Sequence, residues 1–203
     1  MSRFDLRKLR YFYGILVVSF LAADAFGWCN YQGVTDRGHV ITRADERVGC
    51  AGDYAQLAIP ISALIYSAAI GDYEGDLQLT KAASAAMATT YILKYTIRED
   101  RPDSPPDSKG ETFPSGHTSF AFSGAAYWQQ RYGWYVGAPM YAAAAFVAYS
   151  RVRTKRHSWF DVSTGAAIGI GFNYLFTTKY GSDHSVFVVP TDGGAYISFG
   201  MKF

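Results

Sequence analysis

The sequence predicts an all-α protein, a bundle of apolar helices followed by a small C-terminal β-hairpin. Three observations carry that prediction. Apolar stretches of helical length alternate with short breaks rich in Gly, Pro and Asp. Ala and Leu, both strong helix formers, dominate several of them. Period-two alternation stands out in the tail, at 185–189 and 195–203. With 203 residues, 49% of them apolar, the chain fits one domain with a sizeable core.

The elements follow in order. Arg3, Arg7, Lys8 and Arg10 give a basic start, 11–23 carries no charge, and Ala23-Asp24-Ala25 offers a small-x-small pattern. Residues 1–25 therefore read as a signal peptide or an uncleaved signal anchor. Either version puts the rest of the chain outside the cytoplasm, secreted or membrane-anchored, because the basic end stays inside. Cys29 and Cys50 are the only cysteines. An even count in an exported chain points to a disulfide, with two free thiols as the alternative.

Beyond the cysteine loop, 54–70 is an apolar helix kinked or started at Pro60, and 71–76 is a polar turn. A long Ala-rich helix covers 77–97, stopped by Pro102. Residues 103–113 are dense in Pro, Ser, Asp and Gly and form a surface loop. Ser115 is a natural N-cap for a helix to about Gln130, Gly133 marks a break, and 135–149 is a further apolar helix. A basic turn at 151–156 precedes the last helix, 158–176, where Gly165, Gly169 and Gly171 allow close approach of a neighbour. The domain plan is thus 1–25 leader, 26–180 helical domain with its site in 94–161, and 181–203 hairpin tail. The mean hydropathy of −0.03 is low for a chain of membrane spans, and only 132–150 is an uncharged run of spanning length. A soluble bundle and a short-helix membrane bundle both fit. A net charge of +2 without a basic, aromatic-interleaved run argues against nucleic acid as a partner.

Three segments carry polar groups that an apolar bundle does not need. In the first, Lys94, Arg98 and Arg101 recur at near-helical spacing, so one face presents cations. In the second, Pro114-Ser115-Gly116-His117, the Ser115 hydroxyl, the open Gly116 backbone and the following helix N-terminus all suit an anion. The third runs from Ser150 to Asp161. Asp161 lies one helical turn beyond His157, where it can fix the ring's tautomer and leave the other nitrogen free to act. Singly, each has a plain explanation: a salt-bridged helix end, a capped helix start, a satisfied core histidine. Their combination does not.

Together the segments resemble the type 2 phosphatidic acid phosphatase and vanadium haloperoxidase superfamily. Its signature stands here as Lys94, six residues, Arg101-Pro102; then Pro114-Ser115-Gly116-His117; then Ser150-Arg151, five residues, His157, three residues, Asp161. The resemblance implies a helical bundle of that kind and a metal-independent phosphatase without cofactor. Its substrates would be phosphomonoesters or diphosphates, lipid phosphates at a membrane surface first among them. Lys94, Arg101, Ser115, Gly116 and Arg151 would bind the phosphoryl group. His157 would be the nucleophile, giving a phosphohistidine; His117 would be the general acid and base; Asp161 would orient His157. The same resemblance admits a soluble periplasmic acid phosphatase of broad specificity, or a vanadate-dependent haloperoxidase. Arg153, Lys155 and Arg156 are outside the signature, and read either as an electrostatic rim or as plain solvated charge.

Overall fold

The computed structural model describes residues 40–100, 102, 112–181 and the backbone of 184–191 and 194–201. Five helices are described: α1 (Arg43–Ala69), α2 (Tyr73–Ile97), α3 (Gly116–Tyr132), α4 (Trp134–Arg153) and α5 (Trp159–Phe176). Two strands follow, β1 (His184–Thr191) and β2 (Gly194–Met201), with antiparallel backbone pairing. The leader proposed at 1–25 and Cys29 lie outside the described residues. Cys50 is disulfide-bonded.

α1 starts earlier than the apolar pattern suggests. Thr42 and Asp45 form a capping box, the Thr42 hydroxyl accepting from the Asp45 N–H and the Asp45 carboxylate accepting from the Thr42 N–H. Helix therefore replaces the second half of the expected cysteine loop. Pro60 stands inside α1 rather than at its start, and Gly124 of α3 approaches it there: a Cβ on Gly124 would lie 2.8 Å from the Pro60 nitrogen. α2 ends at Ile97 through Arg98 in the left-handed region (φ 51°), before Pro102 is reached. α4 continues through Arg153, so the basic turn is shorter than its charge pattern implies.

α3 is the central helix and packs on all four others. Phe120, Ala121, Ala125 and Tyr127 on it meet Ile59 and Ala63 of α1, Leu79, Ala83 and Met87 of α2, and Val147 of α4 in one apolar cluster. α5 closes on α3 through glycine. A Cβ on Gly165 would stand 2.5 Å from the Ser115 carbonyl oxygen, and one on Gly169 would stand 2.3 Å from the Ser119 oxygen. Gly171 has nothing within 4 Å and takes no part in this approach. Because the Gly169 obstacles are backbone atoms of a rigid helix, Gly169→Ala is expected to destabilise the fold by about 1–3 kcal/mol. Paired urea melts of Gly169→Ala and Gly171→Ala check this, since only the first is expected to shift.

The span expectation changes helix. Among the described residues α1, not 132–150, is the one long and apolar enough to cross a membrane: 27 residues, mean hydropathy 1.3 over its most apolar stretch, 44% of that stretch buried in the bundle. The tyrosines and glycines of 132–150 leave α4 less hydrophobic than its lack of charge suggests.

Candidate active site

The two ends of the bundle differ. At one end lie the N-terminal halves of α1, α3 and α5 and the C-terminal ends of α2 and α4, and these carry the predicted polar segments. Ser115 is the N-cap of α3, buried, its hydroxyl accepting from the Thr118 N–H at 3.4 Å and the Thr118 hydroxyl at 3.1 Å. Its own N–H donates to the Asp161 carbonyl at 3.1 Å, which joins the second polar segment to the third. A Cβ on Gly116 would find only ordinary contacts at 3.7 and 3.8 Å, so protein packing does not demand glycine there. The Lys94 ammonium donates to the Thr112 carbonyl at 3.5 Å, drawing the first segment to the second.

Asp161 has two tasks. Its carboxylate accepts from the Ser158 N–H at 2.6 Å while its own N–H donates to the Ser158 hydroxyl, a capping box that starts α5. The same carboxylate oxygen stands 3.7 Å from His157 Nδ1, within ion-pair range but too long for the hydrogen bond that the spacing predicts. Its other oxygen and His157 Nδ1 are both buried without a hydrogen-bond partner. Burial alone would push the Asp161 carboxyl up, but His157 and the Ser158 donors outweigh it and hold it below the usual carboxylate range. Burial also pushes His157 down to about 4; Asp161 opposes this, and the charges of Lys94 and His117 reinforce it. The ring is therefore neutral across ordinary pH.

Arg151 is buried and held on three sides. Its Nη1 lies 2.7 Å from Asp53, its Nη2 donates to the Gly49 carbonyl at 2.7 Å, and its Nε donates to the Ser150 hydroxyl at 3.1 Å. His117 presents Nε2 to the same Asp53 oxygen at 3.1 Å. Burial holds His117 below the usual histidine range, with Asp53 pulling it up and Arg151 and Arg156 pressing it down.

Asp53 and Gly49 lie outside the three polar segments of the sequence. Gly49, Gly52 and Asp53 share one face of α1 at helical spacing, which is the signal a search through the supposed loop would have needed. Arg101 lies outside the described residues. Arg153 is no part of a free rim: its Nε donates to Asp45 at 2.7 Å, tying the end of α4 to the start of α1.

Comparison with known proteins gives the family. The family model for the PAP2 superfamily matches residues 77–184, more than half of the chain. The chain belongs to the PAP2 superfamily. Among its relatives, it is 32% identical over 130 residues to lipid A 4'-phosphatase of Helicobacter pylori, covering 60% of this chain and 66% of that protein. It is 33% identical over 133 residues to lipid A 1-phosphatase of Porphyromonas gingivalis, covering 54% of this chain and 29% of that protein. The matched region thus spans less than two thirds of either relative. The crystal structure of Aquifex aeolicus LpxE shares the PAP2 fold with a TM-score of 0.56 at 22% identity, over 64% of this chain and 83% of that one.

Proposed function

We propose that the protein is an envelope phosphatase that removes phosphate from phosphorylated lipids through a phosphohistidine. The observation that carries the reading is a buried histidine kept neutral beside cations at the end of a helical bundle. His157, neutral above about 4, has an available lone pair; the Lys94 charge acts on it, and Arg151 shares Asp53 with His117, which supports reading both cations as holders of the phosphoryl oxygens. Arg101 joins them by its place in the signature.

The proposed steps are these. His157 turns Nδ1 toward Asp161, so Nε2 is the attacking atom. An N–P bond forms as the ester P–O bond breaks, and the departing oxygen takes a proton from His117. His117 then accepts a proton from water, the oxygen of that water attacks phosphorus, and the N–P bond breaks. Throughout, Asp161 stabilises the charge on His157. Lys94, Arg101, Arg151, the Ser115 hydroxyl and the Gly116 backbone stabilise the oxygens on which charge develops, in a place already shaped for them. No step calls for a metal.

A lipid substrate is favoured by the surface around the site. Trp159 and Phe160, 61% and 67% exposed, follow directly on the His157–Ser158 turn, and Tyr95 and Ile97 are exposed just past Lys94. Aromatic groups in such a place suit the region between headgroups and acyl chains. The lipid A phosphatases among the relatives support the same substrate class and action at the envelope, and the leader read at 1–25 favours its periplasmic side.

The test is phosphate release from lipid A, phosphatidic acid, a polyprenyl diphosphate and soluble monoesters, with His157→Ala as control. Faster release from the lipids is expected. Release from soluble monoesters alone would replace the lipid reading with a broad-specificity acid phosphatase. Vanadate-dependent halide oxidation in place of phosphate release would overturn both.

The pH dependence has a fixed sign. Activity needs His157 without its proton, hence a rise of kcat/KM through about pH 4, and His117 with its proton, hence a fall below the usual histidine value of 6.5. The expected profile is a bell with an acidic optimum. A profile flat from pH 4 to 8, with the chemical step limiting, would contradict these roles.

A further inference from the structure

We propose that Asp53 of α1 is a positioning residue that holds His117 by Nε2 and ties it to Arg151, so that His117 Nδ1 is the atom that trades protons with the reacting oxygens. The inference rests on the phosphatase reading for what His117 does, and on geometry alone for how it is held. Asp53 lies outside the three polar segments and outside the stretch 77–184 that matches the family model.

One carboxylate oxygen lies within ion-pair range of both partners, 3.1 Å from His117 Nε2 and 2.7 Å from Arg151 Nη1, without the alignment of a hydrogen bond to either. Asp53 is itself buried, its side chain 5% exposed, so its charge acts at close range in a medium that screens it little. A histidine nitrogen facing a carboxylate carries the proton in the neutral ring, which leaves the other nitrogen as the basic one. Asp53 thus selects which nitrogen of His117 does chemistry. Local packing is built to let it reach: a Cβ on Gly52 would lie 2.0 Å from the Ser150 hydroxyl oxygen and 2.9 Å from Arg151 Nη2. Only with glycine there does α1 come close enough for Asp53 and the Gly49 carbonyl to grip the guanidinium.

The charges that act on His117 come from several elements. Asp53 on α1 raises its proton affinity, while Arg151 at the end of α4 and Arg156 in the following turn lower it. His157, before α5, is coupled to His117, and Lys94 of α2 acts on His157 in turn. Removing the Asp53 charge removes the attraction and leaves both arginines. The His117 midpoint must then fall.

The test is made on the full-length protein with nitrogen-15-labelled histidine, the His117 signals assigned by their loss in His117→Gln. In the wild type, the neutral ring is expected as the Nε2–H tautomer. In Asp53→Asn, which keeps the shape of the side chain, the midpoint is expected about one pH unit lower. The paired kinetic reading is a leaving-group split. kcat/KM of Asp53→Asn should fall roughly 100-fold on an alkyl phosphate, whose oxygen needs the proton, and less than about tenfold on p-nitrophenyl phosphate. A plain structural role would lower both alike. An Nδ1–H tautomer in the wild type overturns the proposal even if the variant does not fold, as does an unchanged midpoint with equal losses on the two substrates. If the wild type cleaves neither ester, the phosphatase reading fails, and the tautomer and midpoint still decide whether Asp53 holds His117.

Discussion

His157→Ala is expected to lower turnover by about 10⁴-fold or more while the protein stays folded. Two features separate the chemical loss from a structural one. The ring's Nδ1 makes no hydrogen bond, and Asp161 keeps its capping box with Ser158 whether or not the ring is present. Its removal therefore leaves no polar group stranded that was paired before. The cationic cradle is untouched by the substitution, so inorganic phosphate should still inhibit by binding in Arg151's reach. Thermal melts and phosphate protection measured beside the rates check both halves. A variant that binds phosphate and hydrolyses esters within tenfold of the wild type would remove His157 from the mechanism.

The largest stability effect is expected at the opposite end of the bundle. There the Arg131 guanidinium of α3 makes a two-pronged pair with Asp72, donating from Nε at 2.7 Å and from Nη2 at 2.5 Å. Tyr132 and the Gly75 N–H donate to the same carboxylate, and Arg131 Nη1 donates to the Thr178 carbonyl at 2.8 Å. The pair joins the α1–α2 turn to the ends of α3 and α5. Asp72→Asn removes the charge and leaves the guanidinium buried, its side chain 5% exposed, which costs about 3–5 kcal/mol. Urea unfolding at pH 7 measures it, and a loss below about 1 kcal/mol would show the pair to be solvated.

The same end of the bundle carries opposite pH dependences. Burial pushes the Asp72 carboxyl up, but Arg131, Tyr132 and Gly75 outweigh it and hold it below 3.8, so its contribution is present above that value and lost as pH falls further. Asp76 next to it is buried with no hydrogen bond to either oxygen. Burial and the Asp72 charge push it up to about 7, opposed by Ser67 and Arg131. Its carboxyl is better off protonated in the fold, so stability falls as pH rises from 3.8 towards about 7.

How much of this was legible in the sequence depended on range. The helices between Leu77 and Phe176 were readable because their apolar runs, caps and breaks are local, and Ser115 and Ser158 announce α3 and α5 at their starts. The first turn of α2, from Tyr73, instead read as part of a polar turn, because its cap Asp72 and the acidic Glu74 and Asp76 look like loop. The polar segments were readable for the same reason, since each holds its spacing within a dozen residues. What brings them together was not. The Ser115–Asp161 bond and the Lys94 approach to Thr112 join segments distant in the chain and leave no local trace, while Gly165 announced a close approach without its partner. Asp53 was missed because a charged residue beside glycines reads as loop, whereas Thr42 and Asp45 had already begun a helix through it. The pairing of Arg153, which stays exposed, was not legible for a like reason: its partner, Asp45, is more than a hundred residues away. And the spacing of His157 and Asp161 gave the pairing but not its length, which the competing bond to Ser158 sets.

The central claim is that phosphate passes through His157. It is tested by mixing the protein with a lipid phosphate labelled in its phosphoryl group, quenching in alkali, where phosphohistidine survives, and mapping the label by peptide mass. The account predicts label on the peptide bearing His157, lost on acid treatment and absent from His157→Ala. Label on another residue would contradict it. So would wild-type turnover in which water oxygen enters with single inversion at phosphorus, because a histidine intermediate requires two displacements and net retention.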